Sequence, residues 1–73
     1  MEKKYYIVNV PHVKHGYSIG VKTTADENDI IDLVKTKGLF EEDIDSQYAQ
    51  VEDMDEDFDR PYFLEDSIVD LDD

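Results

Sequence analysis

Four aspartates at alternate positions, Asp53, Asp55, Asp57 and Asp59, are the residues whose type and spacing come nearest to a chemical site. Acids at every second position open a calcium loop, because hard cations gather carboxylate oxygens. The remainder of such a loop is missing. Phe58 stands where the sharp turn needs glycine, and Leu64 stands where the bidentate glutamate belongs. These acids are therefore expected to attract divalent ions only weakly. His12 and His15 offer two neutral nitrogens beside Pro11 and Gly16, fewer than the three or four protein ligands of a zinc site, and they are read as loop histidines. No metal and no cofactor is expected. Ser18, Ser46 and Ser67 lack a histidine pattern or nucleophile-elbow glycines, and three isolated glycines make no phosphate-cradling loop. A general acid would need an apolar pocket to raise its pKa, which a chain this small can hardly enclose. The chain is not expected to be an enzyme.

The carboxylates gain meaning from where they sit. The formal net charge is −13 over 73 residues. Positions 1–40 hold six lysines and five acids, a charge of +1, whereas positions 41–73 hold Arg60 and fifteen acids, a charge of −14. Such a field repels nucleic acid and anionic membranes, so direct binding to either is not expected. A macromolecular partner of the second half should be basic. Solubility alone would not gather the charge at one end. Crowding the acids should raise some of their pKa values, and it predicts greater stability at mildly acidic pH than at pH 7.

Within the acidic half, Glu41, Glu42, Asp43 and Asp45 form one cluster and Asp53, Asp55, Asp57 and Asp59 a second. Carboxylates on one face of a strand recur every ~6.6 Å, a row that a groove built for phosphates would accept. Tyr48, Phe58, Tyr62 and Phe63 are embedded among these acids. Phe58 and Tyr62 are read as rigid interface anchors, while Phe40 is read as core.

Positioning such groups requires a framework, and the first half supplies the pattern for one. Lys4 to Val10 is rich in β-branched and aromatic residues, with Tyr6, Val8 and Val10 on one face. Tyr17 to Thr23 alternates Tyr17, Ile19, Val21 against Ser18, Gly20, Lys22, so the two segments read as a hairpin. Thr24 and Glu27 have the capping-box spacing and predict a helix start at Thr24. Ile30, Ile31, Leu33 and Val34 supply its apolar stripe, and Gly38 followed by Leu39 predicts a left-handed end near Lys37. Residues 48–52 read as a third strand, although Leu39, Phe40, Ile44, Tyr48 and Val51 also fit a helical spacing. The core is assigned to Val8, Ile19, Val21, Ile30, Leu33 and Val34.

The expectation is an α+β fold: a compact ββαβ-type domain over residues 1–52, with an acidic-aromatic C-terminal segment over 53–73 that is either docked or partly disordered. The absence of cysteine leaves no disulfide framework and points to a cytoplasmic location. The apolar run after Lys4 is too short for a signal peptide, and no stretch reaches the ~20 apolar residues of a membrane span. A homodimer through an exposed sheet face is compatible with the pattern. In size, charge and lack of catalytic groups the chain resembles the small acidic nucleic-acid mimics that phages and mobile elements direct against restriction or CRISPR nucleases. That likeness implies an inhibitor of a basic, nucleic-acid-binding enzyme and involves no shared motif. The alternative is an adaptor or regulatory module whose acidic-aromatic tail folds on a partner as a linear motif.

Overall fold

The computed structural model describes residues 2–11, 15–55, 57–58 and 60–73, with backbone alone for Arg60 and Glu65. It has an α+β fold in which a four-stranded mixed sheet, ordered β3-β1-β2-β4, carries one main helix. Strands β1 (Lys4–Val10) and β2 (Tyr17–Thr23) pair antiparallel in the register Val8↔Ile19. Opposed residues share a face, so Tyr6, Val8 and Val10 stand with Val21, Ile19 and Tyr17, as the alternation predicts.

Helix α1 (Glu27–Thr36) lays Ile30 and Val34 on that face, and both are fully buried with Val8 and Val21. Ile19 and Leu33 are half-buried against the same cluster, while Tyr6, Val10 and Leu71 are buried members outside the sequence assignment. The helix ends as read. Gly38 takes φ 71°, its amide bonds Lys35 O at 3.0 Å, and the Leu39 amide reaches Val34 O at 3.2 Å, a Schellman pair. Its start departs from the capping-box expectation. Asp26, not Thr24, is the N-cap, its carboxylate accepting from the Glu27 amide at 3.1 Å. Thr24 is engaged elsewhere, its amide donating to Asp72 Oδ2 at 2.9 Å. That contact crosses 48 positions of sequence and leaves no local signal.

After Gly38 the strand reading prevails: of the five residues that fit a helical spacing, Tyr48 alone lies in a helix. A single helical turn, α2 (Asp45–Tyr48), is followed by β3 (Gln50–Asp53), which pairs antiparallel with β1. The third strand therefore exists but begins two residues later than expected, and Tyr48 belongs to the turn. Beyond it, β4 (Val69–Asp70) adds two residues parallel to β2.

Because β2 and β3 both run antiparallel to β1, α1 is a crossover on one face of the sheet, and Met54, Phe63 and Ile68, which lie between β3 and β4 in sequence, pack on the other. On this second face Met54 and Ile68 are buried against Ile7, with Tyr5 and Phe63 packed at the margin. The polar end of the same face is a ladder, Ser18 Oγ donating to Asn9 Oδ1 and Asn9 Nδ2 to Glu52 Oε2. Covering both faces is how so short a chain enlarges its buried fraction.

Gly20 makes the second layer possible. A Cβ there would lie 2.8 Å from Phe63 Cδ1 and 3.3 Å from Met54 Cε. Gly20→Ala should cost about 1–3 kcal/mol of overpacking, partly offset by about 0.5–1 kcal/mol of lost unfolded-state freedom. Urea unfolding should give a lower midpoint, with faster amide exchange around Phe63 and Ile68. A midpoint at or above the parent's would contradict this packing.

Among the described residues, no helix is long and apolar enough to cross a membrane.

Candidate functional site

The last four residues turn back onto the lysine-bearing half. Lys3 pairs with Asp70, Lys37 Nζ bonds the carbonyl of Asp73, and Asp72 accepts from Thr23 Oγ1 at 2.6 Å as well as from the Thr24 amide. Buried Thr23 is thereby satisfied, and the β2–α1 corner is tied to the chain end. These acids close the fold.

The titration of two of these acids acts at lower pH than the mildly acidic range in which crowding is expected to stabilise the fold. The hydrogen bond from Lys3 holds the Asp70 carboxyl below its ordinary value, and those from Thr23 and Thr24 do the same for Asp72. A carboxyl depressed in the folded state contributes stability that is present above its unfolded pKa and lost as pH falls through the folded one. Both groups therefore predict a loss of stability below about pH 4. Thermal melts from pH 5 to pH 2 should show a shallower acid limb for Asp72→Asn than for the parent. Limbs of equal slope would mean that Asp72 is not held by Thr23.

Of the first acidic cluster, Glu41, Glu42 and Asp43 are exposed, whereas Asp45 is only 2% exposed and does not belong to the surface set. Tyr17 explains the difference. Its hydroxyl donates to Asp45 Oδ2 at 2.6 Å and accepts from the Glu41 amide at 3.1 Å, while the Glu42 amide donates to the same carboxylate oxygen at 3.2 Å. Burial, with the bond to Asp45 adding to it, pushes the phenol pKa up and keeps the group a donor at neutral pH. One buried carboxylate and one phenol thus fix the loop that displays Glu41, Glu42 and Asp43. Tyr17→Phe should cost about 1–3 kcal/mol, since a buried carboxylate loses one of its two donors. Exchange of the Glu41 and Glu42 amides should quicken; unchanged exchange would show that the loop is held by other contacts.

The second cluster is not the strand-spaced row that alternation suggested. Only Asp53 lies in β3; Asp55 and Asp57 follow it into a turn, where Asp55 Oδ1 accepts from the amides of Asp57 at 2.8 Å and Phe58 at 3.1 Å. An aspartate bonding the backbone two residues on favours a turn over extension, and here it ends the strand. Asp59 and His12 lie outside the described residues. Asp53, Asp55 and Asp57 are exposed, as is His15.

The apolar residues of this region divide in two. Met54, Phe63 and Ile68 pack inward. Phe58 at 73%, Tyr62 at 86% and Leu64 at 75% face solvent, and Ile44 and Tyr48 are exposed beside the first cluster. Phe40 packs on the core as read. The exposure of Leu64 and Ile44 is not anticipated by the sequence; the alternation of inward Phe63 with outward Leu64 is the signal that could have placed the former.

Each serine hydroxyl serves the fold: Ser18 bonds Asn9, Ser46 the Asp43 carbonyl and Ser67 the Leu64 carbonyl. Among the described residues, no three histidines or acids converge as a metal site. Comparison with family models, curated proteins and solved structures gives no match for this chain, so a functional reading rests on its own residues.

Proposed function

We propose that this chain is a non-enzymatic acidic protein that binds a basic, nucleic-acid-handling protein. In this reading it acts as a nucleic-acid-mimicking inhibitor of phage or mobile-element type, of the kind directed at CRISPR or restriction nucleases. The observation that carries the reading is one of coincidence. Among the described residues, the exposed large apolar side chains, Ile44, Tyr48, Phe58, Tyr62 and Leu64, all lie between positions 44 and 64, inside the half with charge −14. A solubilising surface has no use for apolar anchors set among its charges. A docking surface for a basic groove uses both, the charge for encounter and the rings for residence.

The carboxylates that would face the partner are Glu41, Glu42, Asp43, Asp53, Asp55 and Asp57, held by the Tyr17–Asp45 bond and by the Asp55 turn. The mimicry is then one of charge field, since Glu41, Glu42 and Asp43 lie on one loop and Asp53, Asp55 and Asp57 run from the end of β3 into a turn, not along one strand. Burial of Met54, Ile68 and Leu71 favours a fixed geometry over a tail that orders only on its partner, which sets this reading ahead of the adaptor. Competition tests it: the chain and the partner's nucleic acid should exclude one another, and simultaneous binding would refute the proposal.

A further inference from the structure

Of the two edge strands β3 is the longer, with four residues against two in β4, and its backbone phase is fixed by the structure. The Met54 amide donates to the Tyr5 carbonyl at 3.1 Å, and the register continues as Ile7↔Glu52 and Asn9↔Gln50. In an antiparallel ladder, alternate residues turn their backbone groups to the same neighbour. Residues 50, 52 and 54 therefore face β1, while Val51 and Asp53 direct their N–H and C=O groups outward. Among the described residues, the backbone bonds of loops and caps engage neither of them. The opposite edge is less accessible: β4 has two residues, flanked by the Lys3–Asp70 pair and by the Leu71 amide bonded to Lys22 O.

We propose that this edge takes an extended basic segment of the partner as an additional antiparallel strand, an inference that rests on the basic-partner reading. Charge selects the occupant. Two copies pairing symmetrically through Val51 and Asp53 would set Glu52 directly against Glu52 of the other copy, a like-charge pair at the closest cross-strand position. A lysine or arginine opposite Glu52 turns that repulsion into attraction, and Asp53 at the end of the strand and Asp55 in the turn after it add to the negative field. Main-chain bonds then supply affinity and the acids supply selection for basic sequence.

The test uses the full chain and two probes, a short peptide of alternating lysine and valine and the same peptide N-methylated at alternate residues, which keeps the charge and blocks strand pairing. The expected result is that both peptides bind, but only the unmethylated one slows amide exchange at Val51 and Asp53, by about tenfold. Asp53→Pro, which deletes an outward N–H and spares the ladder with β1, should abolish the protection at Val51, whereas Asp53→Asn should keep most of it. If both peptides bind and neither protects these amides, the edge proposal falls and the basic-partner reading stands. If neither peptide binds, attraction to basic sequence falls with it. Protection in peptide-free protein that grows with protein concentration would make a second copy the occupant and overturn the assignment.

Discussion

Val34→Asp is expected to abolish folding. Val34 is fully buried where α1 meets the sheet, among Val8, Val21 and Ile30. An unpaired carboxylate there loses its hydration with no cation to replace it, a cost of several kcal/mol against a total stability of about 5 kcal/mol for a small domain. Circular dichroism should show an unfolded chain at 25 °C, and the hairpin amides should lose their protection. Val34→Ala separates the charge from the cavity: it should leave a folded protein weakened by about 2 kcal/mol. A Val34→Asp protein that melts like its parent would place the core elsewhere.

The second large effect concerns binding. Changing Asp53, Asp55 and Asp57 to Asn removes three charges while leaving Asn Oδ1 at position 55 to accept the turn amides. Association with the basic partner should slow by about tenfold or more at low salt, because steering depends on the field of the exposed acids. Removing three charges from α1, through Glu27→Gln, Asp29→Asn and Asp32→Asn, changes the net charge equally and should slow association less. Phe58→Ala and Tyr62→Ala should act on the other rate. A ring buried in the complex contributes about 2 kcal/mol, roughly thirtyfold in dissociation. If both sets of Asn and Gln variants slow association equally, net charge and not the proposed surface steers the encounter.

How far the sequence carried the structure can be judged from particular residues. The hairpin was legible because β1 is rich in β-branched and aromatic residues and β2 alternates, and the end of α1 because Gly38 sits where a left-handed residue is needed. Both signals are local. What escaped the sequence depends on contacts between distant positions. Asp45 and Asp43 look alike in a row of acids, and the Tyr17 hydroxyl, supplied from β2, bonds one of them in the interior. Asp72 displaces Thr24 from its expected capping role by the same long-range route. The second face of the sheet was hidden because residues 54–68 carry no helical or strand period; Phe63 packs over Gly20 and Met54 and Ile68 over Ile7, while Phe58, Tyr62 and Leu64 between them face solvent. Of the candidate site, the exposure of Phe58 and Tyr62 was legible from their setting among acids. The shape of the acidic row was not, because the bonds from Asp55 to its own backbone compete with extension.

The central claim is that the acidic-aromatic face occupies a groove built for nucleic acid. It is tested most directly by titrating the partner's own DNA or RNA into the preformed complex while the fraction of bound protein is followed. The account predicts full displacement, with an apparent affinity for this chain that falls as nucleic acid is added and again as salt is raised, since charges on the two faces are screened beyond ~8 Å at physiological ionic strength. A ternary complex, in which the nucleic acid binds alongside and the affinity for this chain is unchanged, would contradict it.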